Sequence, residues 1–100
     1  MLFRGIVTSL RDTLSLQQAL ELSNIYLECA CKAKDPTIAL VLCHDTEVSL
    51  VRARKAARRI KDPAVCGRIA NAYIELGRVL DSRGCQREAQ ATYKKARKWG

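Results

Sequence analysis

The tripeptide Cys43-His44-Asp45 places a thiol, an imidazole and a carboxylate in sequence, the residue types that serve as nucleophile, base and orienting group in covalent catalysis. Neighbours on a helix diverge by about 100°, however, so consecutive residues of a helix cannot face one another. His44 therefore reads as a surface or capping side chain, and, as the only histidine in the 100 residues, it leaves an enzyme to rely on unpaired carboxylate or thiol chemistry. The five cysteines invite a metal reading that their spacing opposes. Cys29 and Cys31 would point about 200° apart on a helix and cannot share one tetrahedral ion. Cys43, Cys66 and Cys85 stand alone, and no C-x2-C pair occurs. The thiols are therefore expected to be reduced and mostly packed as small apolar groups, in an intracellular, cytoplasmic setting. No metal, no cofactor and no enzymatic activity is expected, since no motif supplies the remaining catalytic groups.

Charge is the next feature that bears on function. Residues 1–51 carry four basic and six acidic side chains, whereas residues 52–100 carry fourteen and four, and the whole chain has a net charge of +8. Arg52, Arg54, Lys55, Arg58, Arg59 and Lys61 would cover nearly half the circumference of a helix, opposite Leu50, Ala53, Ala56, Ala57 and Ile60. Lys94, Lys95, Arg97 and Lys98 form a second cluster. Such a surface attracts acidic protein segments, nucleic acid or anionic lipid. No aromatic residue interleaves the 52–61 cluster, so a solvated face or an acidic partner is preferred over nucleic acid or lipid. The longest apolar run, Ile38 to Cys43, has six residues, far below the roughly 20 that span a bilayer. No transmembrane segment is expected. The stripe Leu2, Phe3, Ile6, Val7 and Leu10 reads as a short helix over the edge of the fold, with a targeting segment or interfacial anchor as the alternative.

Helical periodicity supplies the elements that would position these groups. Ile69, Tyr73, Leu76, Gly77 and Leu80 fall in one apolar arc, while Asn71, Glu75, Arg78 and Ser82 fall opposite. Gly84 sits where a left-handed residue ends a helix, and Cys85, Ala89, Tyr93 and Ala96 recur at intervals of three and four on the segment that follows. Over residues 69–98 this spacing resembles the tetratricopeptide-repeat (TPR) family. It departs from the family pattern where Tyr73 replaces the usual Trp and Leu80 the usual Tyr. The resemblance implies a helical hairpin whose first helix lines a concave groove. It would place partner binding on Asn71, Ile74, Glu75, Arg78, Asp81 and Ser82, facing a protein or peptide.

The first half reads as a degenerate copy. Lys34-Asp35-Pro36 recurs as Lys61-Asp62-Pro63, each an Asp able to cap a helix before a Pro suited to the first helical position. Ser15-x2-Gln18 reads as a capping box opening a helix with a broad apolar arc, including Leu16, Leu22, Ile25 and Leu27. Residues 36–61 read as one helix of about 39 Å or as one bent near Cys43 to Thr46. Leu22-x3-Tyr26 echoes Leu76-x3-Leu80, and Ser49, Ala53 and Ala56 echo Ala89, Tyr93 and Ala96, at two different offsets. LELSNIYLE (20–28), ALVLCHDTEVSL (39–50) and EAQATYKKARKWG (88–100) also look like a helical segment of large multidomain proteins from early-diverging fungi, next to nucleotide-binding and WD40-type repeat regions. That resemblance implies a piece of a larger scaffold.

The expected fold is all-α. Antiparallel helical hairpins would form a TPR-like bundle of about four main helices plus a short N-terminal helix, in a single domain over 1–100. The expected units are an N-terminal helix or arm over 1–12, a degenerate first hairpin over 15–61 and a TPR-like second hairpin over 63–99. The expected function is a non-enzymatic protein-interaction module of scaffold or adaptor type. The alternative is a basic helical module that binds nucleic acid or anionic lipid through residues 52–61.

Overall fold

A computed structural model describes the backbone at residues 2–60 and 62–99, and side chains at 14–60 and 62–99. The fold is all-α, with four helices among the described residues: α1 (Leu2–Lys32), α2 (Pro36–Ile60), α3 (Pro63–Ser82) and α4 (Gln86–Trp99). The two Asp-Pro signals act as their chemistry dictates. Asp35 Oδ1 accepts from the Thr37 amide at 2.8 Å and Asp62 Oδ1 from the Ala64 amide at 3.0 Å, so each carboxylate satisfies an amide that the first turn leaves unpaired. At the other end of α3, Gly84 adopts φ +83°. The Cys85 amide then reaches Leu80 O at 2.9 Å and the Gly84 amide reaches Asp81 O at 3.1 Å, the two bonds of a Schellman ending.

Two expectations change. The separate helix or arm over 1–12 is not seen, because α1 runs unbroken from Leu2 to Lys32 and Ser15 lies inside it. A capping box acts only where the backbone leaves helical geometry at the Ser, and no Pro or Gly between Ile6 and Asp35 forces it to. The stripe Leu2 to Leu10 lies outside the described side chains. The second change is the width of the packed face on α1: Leu22 (38% exposed) and Ile25 (54%) point to solvent. Helix α2 is one helix. Thr46, at its polar interruption, is buried with its hydroxyl donating to Leu42 O at 2.8 Å, which satisfies the group without opening the helix.

The packing order is α1 on α2, α3 on α4, and α3 on both α1 and α2, while the backbone of α4 approaches that of α3 alone. The result is two hairpins side by side, in an envelope of 51 × 24 × 15 Å whose thickness is that of two packed helices. The first helices of the two hairpins, α1 and α3, adjoin each other along one side.

A single offset relates the hairpins, in place of the two suggested by the residue types. The second helices start at Pro36 and Gln86, an offset of 50. At that spacing Ala19/Ile69, Leu20/Ala70, Ser23/Tyr73, Leu27/Gly77, Ala30/Leu80, Ala39/Ala89 and Thr46/Ala96 are buried pairwise. Residue types obscure the repeat because sizes are exchanged within it. A Cβ on Gly77 would lie 2.5 Å from Tyr93 Cε1, so the glycine makes room for the ring. The first hairpin has Leu27 and Cys43 at these places, large and small reversed. Tyr73 is fully buried and Leu80 is 7% exposed, both in one core with Ala89 and Ala96.

Candidate interaction site

Between α1 and α3 lies an open groove of about 570 Å³ lined by Asn24, Ile25, Leu27, Glu28 and Cys31 on one wall and Glu75, Arg78 and Val79 on the other. Glu75 and Arg78 stand on the solvent arc of α3 because Ala72, Leu76 and Val79 occupy its packed side. The floor is apolar and the rims carry both signs, Glu28 and Glu75 against Arg78. Asn71 and Ile74 do not join this groove. They line a second one, of about 680 Å³, between α3 and α4, with Gly67, Ala70, Tyr93 and Arg97. Asp81 and Ser82 line neither; both are exposed, and the Ser82 hydroxyl donates to Val79 O at 2.7 Å. The six-residue stripe thus divides between two surfaces. Asn24, Ile25 and Glu28, which the sequence analysis did not assign to a binding surface, supply part of the facing wall. The offset of 50 could have found them, since they are the counterparts of Ile74, Glu75 and Arg78.

The basic cluster is also divided. Arg52, Lys55, Arg58 and Arg59 are exposed along α2, and Lys61 lies outside the described residues. Arg54 is drawn inward: its Nη1 lies 3.4 Å from the Tyr73 hydroxyl and its guanidinium carbon 5.9 Å from the centre of the Trp99 ring. Its Nε is buried without a hydrogen-bond partner. Lys95 pairs with Glu47 across α4 and α2. Arg54 and Lys95 therefore tie α4 to α2 rather than presenting free charge.

Cys43, His44 and Asp45 separate as helical neighbours must, with Cys43 buried, His44 exposed and Asp45 half-buried. Burial pushes the Cys43 thiol above its usual range, reinforced by Cys85 and opposed by Arg83, so the nucleophilic thiolate is disfavoured. Cys29 and Cys31 are exposed, and Cys66 and Cys85 half-buried. Among the described residues no three His, Cys, Asp or Glu side chains are grouped to hold a metal ion. No helix there is long and apolar enough to cross a membrane.

No family model, curated protein or solved structure matches this chain.

Proposed function

We propose that this chain is a non-enzymatic, TPR-like protein-interaction module of scaffold or adaptor type, and that the α1/α3 groove receives a peptide or helix from its partner. The observation that carries this reading is the composition of that groove, an apolar floor between an acidic α1 rim (Glu28) and an α3 rim that carries both signs (Glu75 and Arg78). Such a surface excludes water from a partner's apolar side chains while its charges fix orientation. Support for the TPR-like assignment comes from the stacking order, in which the first helices of consecutive hairpins adjoin. The alternative, polyanion binding, keeps Arg52, Lys55, Arg58 and Arg59 on an exposed face of α2 but loses Arg54 to internal contacts.

A photo-crosslinking residue at Ile25 and another at Arg58 separate the two readings. The groove reading expects a protein adduct from position 25 that disappears with Arg78→Glu, survives Arg52→Gln/Arg58→Gln and weakens only modestly with salt. Adducts confined to position 58, or binding that falls steeply with salt and fails in the Arg52→Gln/Arg58→Gln variant, would replace it with the polyanion reading.

A further inference from the structure

The hairpins are alike in fold, and the joint between them shows how the end of one accepts the start of the next. On the accepting side, α1 offers Asn24 and Leu27; on the docking side, α3 offers Val79 and, two turns earlier on the same stripe, the buried Ala72. At the offset of 50 each face has a counterpart that, among the described residues, no other helix covers. The docking face recurs on the first hairpin, where Leu22 and Cys29 stand exposed at the positions of Ala72 and Val79. The accepting face recurs on the second, where Ile74 takes the place of Asn24 and lines the open α3/α4 groove with Gly67, Tyr93 and Arg97.

Electrostatics point the same way. The joint is bridged by the ion pair of Glu47, on the first hairpin, with Lys95, on the second. The counterpart of Lys95 is Asp45, and the counterpart of Glu47 is Arg97, so the signs are exchanged while complementarity is kept. Among the described residues neither Asp45 nor Arg97 has an ion-pair partner. Size is exchanged too, the buried Leu20 and Ala72 answering at the offset of 50 to Ala70 and Leu22.

We propose that this chain associates head to tail with copies of itself. The Leu22 and Asp45 face of one molecule docks on the Gly67, Ile74 and Arg97 face of the next, in the relation its second hairpin already holds to its first. Such a contact joins two different surfaces, so it does not close on itself as a twofold dimer does and builds a row. The association is independent of what the α1/α3 groove binds, and its test does not involve that groove.

The test is sedimentation of the purified chain at rising concentration, with circular dichroism of each variant to show that helical content is kept. The average mass should grow progressively without stopping at two copies, at concentrations up to about 1 mM. Leu22→Lys, on a side chain already 38% exposed, and Gly67→Gln, at a site where a Cβ meets nothing within 4 Å, should each abolish growth. Mixed together, they should form a one-to-one complex and go no further, because each retains the face that the other has lost. Asp45→Arg and Arg97→Glu should each weaken association roughly tenfold, and the double reversal in one chain should restore most of it. A chain that stays monomeric throughout overturns the proposal, as does a mass that stops at two. Growth indifferent to Leu22→Lys and Gly67→Gln, variants that fail to complement, or a double reversal no better than the single ones would do the same.

Discussion

Gly77 and Tyr93 show how one residue sets another's place. A methyl at position 77 would meet the Tyr93 ring at 2.5 Å, so Gly77→Ala gains about 1 kcal/mol of helix propensity and loses about 1 to 3 kcal/mol to overpacking. The net expectation is a lower melting temperature. Adding Tyr93→Cys to Gly77→Leu should recover part of the loss of Gly77→Leu alone, since Leu27 and Cys43 already occupy the equivalent places. A double variant no more stable than Gly77→Leu would refute that size exchange. Tyr73→Ala, at a fully buried ring, should cost about 3 to 5 kcal/mol in denaturant unfolding. The thiols make a separate prediction. Cys29 and Cys31 should label rapidly with an alkylating reagent and Cys43 only upon unfolding. Since the folded state raises the Cys43 pKa, the unfolded chain gives up its proton first as pH rises. Cys43 therefore contributes stability that is complete below the ordinary thiol range, about 8.5, and is lost as pH climbs through the raised value. A Cys43→Ala variant, compared across that alkaline range, should show a shallower decline with pH.

At the scale of the helices, the signals that were legible in the sequence are those that act on their immediate neighbours. Asp35 and Asp62 cap the residues two positions ahead, and Gly84 ends α3 through its own backbone angle. Ser15 carried the same kind of local signal and misled, because a helix continues through a serine unless something forces it to stop. The all-α class and the burial of Tyr73 followed from periodicity. The groove did not, because its α1 wall is brought to α3 by packing between residues some 50 positions apart. Arg83 could not have been read at all. Its Nη2 donates to Ala30 O at 2.9 Å and to Ala33 O at 2.6 Å, so the turn after α3 caps the open carbonyl end of α1. Arg83→Ala should cost about 2 kcal/mol in chemical denaturation. Both bonds leave one nitrogen, so Arg83→Lys, whose ammonium can donate to two carbonyls, should recover part of it. Equal stability of Arg83→Ala and the parent would show that solvent serves those carbonyls as well.

For the molecule as a whole, the basic side chains sort into two kinds that a count of charges merges. Arg54→Gln removes the ring contact with Trp99 and the bond to Tyr73, and should lower the melting temperature measurably. Arg52→Gln and Arg58→Gln, on the exposed face, should each stay within about 0.5 kcal/mol of the parent. The reverse order would mean that Arg54 is held no more firmly than its exposed neighbours. The placement of α4 carries a further consequence, for the order in which the chain comes apart. Its backbone rests on α3 alone, and it reaches α2 through the half-exposed Lys95–Glu47 pair and the Arg54–Trp99 contact. α4 packs on one helix where α1, α2 and α3 each pack on at least two, and exposed ion pairs add little, so α4 is expected to open first. Amide protons of Ala89, Thr92 and Ala96 should then exchange with deuterium well before those of Ala53, Ile69 and Leu76, despite equal burial of their side chains. The slowest amides should mark the seam where α1, α2 and α3 meet.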